Sequence, residues 1–137
     1  MRRITACATM MIALGSCTIG YAVDVLMRGN QVVFRFARSG WFGGHEPAPV
    51  QHLWVRRVSA NEQVVWQLDS LDQNGRDLGE VIYGSSPSRM TQITKAEPLG
   101  LGQVYSVELL ALGGGGSRQF AILPGPGPAQ PITALQQ

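Results

Sequence analysis

Cysteine stops early in this chain, and lysine is almost missing. Neither of the 2 cysteines lies beyond Cys17, and Lys95 is the only lysine among 11 basic residues. Two cysteines cannot build a disulfide-dense miniprotein. A domain formed after Cys17 must be held by its apolar core alone. Charge is scarce as well: charged residues make up 15% of the 137 residues and the formal net charge is +2. Soluble domains carry about 25%. So little charge excludes a disordered acidic or basic tail protein. It also excludes a nucleic-acid binder that works through a strongly basic field. The arginine bias suits planar stacking and bidentate pairing, but a GC-rich coding sequence gives the same bias. No second apolar run long enough for a membrane-spanning helix follows Asp24, since such a helix needs about 20 apolar residues. The length suits one core of roughly 100 residues rather than two.

What is present begins with an address. Met1-Arg2-Arg3 is followed by Ile4 to Leu14 without a charge, a positive start and a short apolar run with the layout of a secretory signal. Leu14-Gly15-Ser16-Cys17 resembles the bacterial lipobox. The resemblance implies cleavage before Cys17, diacylglycerol on its sulfur and an acyl chain on its amine. Thr18 stands where an aspartate would favour inner-membrane retention, so the resemblance leans toward the outer membrane. A second reading has cleavage after Ala22, because Gly20 and Ala22 are small residues at the positions an ordinary signal peptidase needs. That product would be soluble, periplasmic or secreted. A third leaves the segment uncleaved as an N-terminal anchor. The lipoprotein is preferred, with signal peptide 1–16 (alternative end 22), a short tether 17–22, a domain over 23–123 and a Pro/Gly-rich flexible tail over 124–137. Removing Arg2 and Arg3 leaves 11 − 2 = 9 basic residues against 9 acidic ones, so the exported domain is formally neutral.

The domain reads as all-β. Helical spacing is poor, while alternation and β-branched or aromatic runs recur. Residues 23–27 form a first strand with Val23, Val25 and Met27 on one face. Residues 31–37 form a second with Val32, Phe34 and Phe36 inward, joined to the first through Arg28-Gly29-Asn30. A Gly/Pro loop over 38–49 precedes a third strand at 50–59. There Arg56-Arg57 puts a charge on both faces, which a bulge or an arginine over the sheet rim would reconcile. Val64, Trp66 and Leu68 give 62–69 an inward face. Asn74-Gly75 marks a turn in a polar connection. Short strands follow at 80–84 and 90–95, then the longest at 103–112, a floppy glycine tip at 113–116, and a closing strand at 118–123. Seven or eight strands at this spacing predict an antiparallel two-sheet sandwich.

One stretch sharpens the fold. Pro98-Leu99-Gly100-Leu101-Gly102-Gln103-Val104-Tyr105-Ser106-Val107 resembles the approach to the penultimate strand of a fibronectin type III domain. The resemblance implies that the Tyr105 hydroxyl bonds back to the preceding corner, with Leu99 or Leu101 packed beneath it. A transthyretin-like or other immunoglobulin-like sandwich fits the same strands.

Chemistry is sparse. His45, Glu46 and His52 have no third or fourth ligand at motif spacing, so no metal site is expected. No serine stands in Gly-x-Ser-x-Gly. Asp69, Asp72, Asp77 and Glu80 cluster around one connection, but Asp72-Gln73-Asn74-Gly75 lacks the alternating acids of a calcium loop. Gly113 to Gly116 is followed by neither Lys-Ser/Thr nor a helix, so it cradles no phosphate. These absences predict no catalytic residues, no cofactor and no enzyme. Trp41 and Phe42, adjacent in a Gly-flanked loop, are costly to leave in water and mark a candidate contact surface together with Arg56 and Arg57. Trp54 and Trp66 are assigned to the core. The sequence thus predicts an exported envelope protein, lipid-anchored at Cys17, whose partner is another envelope protein. A carbohydrate- or peptidoglycan-binding module using exposed aromatics is the alternative.

Overall fold

A computed structural model describes residues 19–38 and 47–123. Its elements are all strands: β1 (Ile19–Arg28), β2 (Gln31–Arg38), β3 (Ala48–Arg57), β4 (Gln63–Ser70), β5 (Arg76–Leu78), β6 (Glu80–Ile82), β7 (Met90–Thr94), β8 (Val104–Ala111) and β9 (Gly114–Ala121). No helix occurs among the described residues. They form one mixed, curled sheet in the order β6-β2-β1-β9-β8-β3-β4-β7, with β5 beside β3.

The first hairpin follows its turn chemistry. Arg28 pairs with Gln31, leaving Gly29 and Asn30 as a two-residue loop. Gly29 takes φ 63° at the first central position, a place glycine fills without strain. The alternation then sets the faces. Val32, Phe34 and Phe36 are buried, and Val25 and Met27 pack against the same core. Val33, on the opposite face of β2, is fully buried too, outside that core cluster.

The curl brings distant strands together. Phe34 of β2 stacks on Trp66 of β4 at 6.2 Å between ring centroids and meets Phe120 of β9 at 5.5 Å. Tyr105 of β8 stacks on Phe120 at 5.6 Å. Trp66, Tyr105 and Phe34 are the largest fully buried side chains, and they form the centre of the core.

The bulge near Arg56-Arg57 lies on the neighbouring strand and not in β3, while Arg57 reaches the rim. Val55 pairs with Trp66, but Arg56 pairs with Val64, so β4 carries Val65 as an extra residue. Val65 and Trp66 are then both buried, and both arginines stay at the surface of the sheet.

The described residues form nine strands against the seven or eight expected, β5 lies within the expected polar connection, and the pairing is mixed rather than wholly antiparallel; two departures locate the cause. First, β1 begins at Ile19, upstream of the expected start at Val23, and its first residues run parallel to β9: Ile19 pairs with Gly114 and Gly20 with Gly115. Every other strand pair is antiparallel. Second, Gly114, Gly115 and Gly116 belong to β9 and not to a floppy tip; the turn is Leu112-Gly113, with Gly113 at φ 86°. Crowding explains both. A β-carbon on Gly115 would sit 2.6 Å from the Leu109 carbonyl oxygen, and one on Gly116 would collide with the Tyr21 carbonyl oxygen. The glycines are there because β1 and β8 approach closely from either side. Tyr21, carried by this docking, is buried in the core.

Candidate functional site

The outward face of β3 gathers the side chains with chemical potential. Leu53 and Val55 point into the core, so His52, Trp54 and Arg56 face outward by strand alternation. Register supplies their neighbours. His52 lies opposite Asp69, Trp54 opposite Gln67, and on the other side Trp54 lies opposite Glu108. The His52 ring N–H donates from Nδ1 to Asp69 Oδ1 at 2.8 Å, and Gln67 Nε2 donates to the same oxygen at 3.2 Å. The His52 ring meets the edge of Trp54 at 6.2 Å, and the Arg56 guanidinium stands 5.5 Å from the Trp54 ring centroid. Arg56 Nε is also 3.3 Å from Glu108 Oε2, and its Nη1 is 3.8 Å from Glu62. The face is therefore a strip of ring, guanidinium, imidazole, amide and carboxylate, held in register by backbone ladders.

Trp54 corrects its assignment to the core. It is half-buried and absent from the core cluster, whereas Trp66 is fully buried within it. Strand parity is the cause: Trp54 lies between Leu53 and Val55, both wholly inside. The sequence carried this signal, since Leu53 and Val55 already define an inward face.

Arg56 and Arg57 occupy different places. Arg56 belongs to the strip, while Arg57 reaches the rim, with Nη1 3.4 Å from Gln63 Oε1 and Nη2 3.9 Å from Glu97. Trp41 and Phe42 lie outside the described residues, as do Cys17, His45 and Glu46.

The clustered acids separate in space. Asp72 holds Arg89 through hydrogen bonds of 2.8 and 2.5 Å, and Glu80 holds Arg28 at 2.9 Å. The Arg89 guanidinium keeps the Asp72 carboxyl below the usual carboxylate range, and Arg28 does the same for Glu80. Asp69 serves His52. Among the described residues no group of three or more His, Cys, Asp or Glu could hold a metal ion.

The corner before β8 takes the expected form. The Gly100 N–H donates to the Tyr105 hydroxyl at 2.7 Å. Leu99 packs against the core while Leu101 is exposed. Sequence reasoning missed a second tyrosine of this kind. The Tyr83 hydroxyl donates to the Glu97 carbonyl at 2.6 Å, and its ring meets Trp66 at 5.0 Å. Burial pushes its hydroxyl up to about 12.

No protein-family model, curated protein or solved structure matches the chain.

Proposed function

We propose that the chain is a lipid-anchored module of the bacterial envelope that docks another envelope protein on the outer strip of β3, β4 and β8. The observation that carries this reading is Trp54, half-buried on that face with Arg56 against its ring. Tryptophan and arginine dominate the energetics of protein interfaces, where they anchor desolvated contacts. A rigid sheet holds them in place, with His52, Gln67 and Glu108 as polar surroundings. Trp41, Phe42 and Arg57 extend the candidate surface on the grounds of the sequence.

Anchoring at Cys17 has support of its own. Cleavage after Ala22 would discard Tyr21, a core residue, together with both β1–β9 pairs. Cleavage before Cys17 retains them, which supports the lipobox over the site after Ala22. The fold reading belongs with this proposal. We read β1, β2 and β6 as one layer and β9, β8, β3, β5, β4 and β7 as the other, with β1 pairing to both β2 and β9. The order β9-β8-β3-β4 and the Tyr105 corner suit an immunoglobulin-like sandwich.

Partner capture from detergent-solubilised membranes tests the reading. A protein that co-purifies with the chain and is lost with Trp54→Ala, while the variant remains folded at the capture temperature, supports it. Binding of muropeptides or a glycan array by the same face, without a protein partner, transfers the strip to the carbohydrate alternative. Capture unaffected by Trp54→Ala and Arg56→Glu overturns it.

A further inference from the structure

The end of the sheet nearest Cys17 carries an apolar rim. Ile19 pairs with Gly114, which pairs with Ala111, so the Leu112-Gly113 turn lies directly beyond the first residue of β1. Leu110 lies one row further in, beside Gly115 and Gly20. Leu71 follows the last residue of β4 at the same end, where β3 begins. These three leucines are 50%, 42% and 64% exposed. Alternation sets Leu110 and Leu112 on the outer face, because Leu109 and Ala111 are buried.

Covalent distance says what lies opposite. Only Thr18 separates Cys17 from Ile19, and two residues of chain span at most about 7 Å. A diacylglyceryl group on Cys17 would therefore enter the bilayer within about 7 Å of the start of β1, with no slack to hold the domain away. We infer that this end of the sheet rests on the membrane, with Leu112, Leu110 and Leu71 sunk among the lipid headgroups beside the anchor. The inference builds on lipidation of Cys17 and adds an orientation to it. Leucines at an interface bind in proportion to the apolar area they bury, so an anchor and a rim at the same end act together. Leu101 is 61% exposed at the opposite end, near the start of β8, and would face away from the bilayer.

Photocrosslinking of the full exported chain tests the orientation. Benzoyl-phenylalanine replaces Leu112 or, as the comparison, Leu101, in vesicles of phosphatidylethanolamine and phosphatidylglycerol. Lipid adducts are read by mass spectrometry, together with the mass of the mature N-terminus. The expected result is at least tenfold more lipid adduct at position 112 than at 101 on a chain bearing the Cys17 lipid. Equal yields on a lipidated chain overturn the orientation and leave the anchor standing. An unmodified Cys17 with adducts still confined to position 112 overturns the anchor and supports the rim as a membrane-binding surface by itself. An unmodified Cys17 without preferential adducts overturns both.

Discussion

The backbone at Gly116 lies against the Tyr21 carbonyl so closely that a β-carbon there would overlap its oxygen. Gly116→Ala must therefore push β1 off β9 or distort β9, and overpacking of this kind costs about 1–3 kcal/mol. Urea denaturation should show a lower midpoint with an unchanged slope. Gly79→Ala is the comparison, because nothing lies within 4 Å of its added β-carbon. It should be neutral or slightly stabilising, since alanine restricts the unfolded chain. Equal losses in the two variants would detach the β1 docking from the glycine run.

A chain shortened to begin at Val23 should lose more. It forfeits the burial of Tyr21, which for a large side chain contributes about 1.5–3 kcal/mol, and both pairs to β9. The same measurement, made against a chain beginning at Thr18, checks this. Identical midpoints would return cleavage after Ala22 to contention.

Tyr105→Phe removes the acceptor that satisfies the Gly100 N–H and keeps the ring on Phe120. The expected loss is about 1–2 kcal/mol, set by the bond and the partner left unpaired. Amide exchange should quicken at Gly100 first. A variant as stable as the parent would reduce the corner to packing alone.

Tyr83 predicts an alkaline limit. Its folded pKa, about 12, is raised above the unfolded value near 10, so the folded state favours the neutral phenol. That contribution is complete below pH 10 and is lost as pH rises from 10 through 12. Stability measured from pH 8 to 11 should fall above pH 10, and the fall should be shallower in Tyr83→Phe. An identical slope in both would assign the alkaline loss to other groups.

The two tryptophans should separate cleanly. Trp66→Ala empties the centre of the core and should cost about 3–5 kcal/mol. Trp54→Ala gives up partial burial and a cation–π contact worth about 0.5–1 kcal/mol when exposed, for a total of about 1–2 kcal/mol. Similar losses would place Trp54 back among the structural residues.

Strand positions and inward faces were legible wherever one periodicity acted alone, as in Val23-Val25-Met27 and in Val32-Phe34-Phe36. Arg56-Arg57 signalled a break in alternation, but the bulge lies at Val65 of β4, which takes the inward place expected of Val64. Trp54 was misread because its size suggested burial while its parity, fixed by Leu53 and Val55, placed it outside. The glycine run was misread because local sequence cannot reveal that another strand approaches it. Whether a glycine means slack or crowding depends on its neighbours in space, here Tyr21 and Leu109. The His52–Asp69 pair was hidden for the same reason, since it exists only in the register of β3 against β4.

Among the described residues, the parallel contact of β1 with β9 joins the first strand to the last. The strand synthesised earliest therefore waits for nearly the whole chain before its final pairing is available. Contacts so distant in sequence slow folding, because the loop must close before they form. A chain threaded N-terminus first through a membrane cannot complete this domain on the near side once β1 has crossed. The clasp of the first described strand on the last thus defers completion of the domain until β9 is available, and under the proposed export this keeps the chain open for transport.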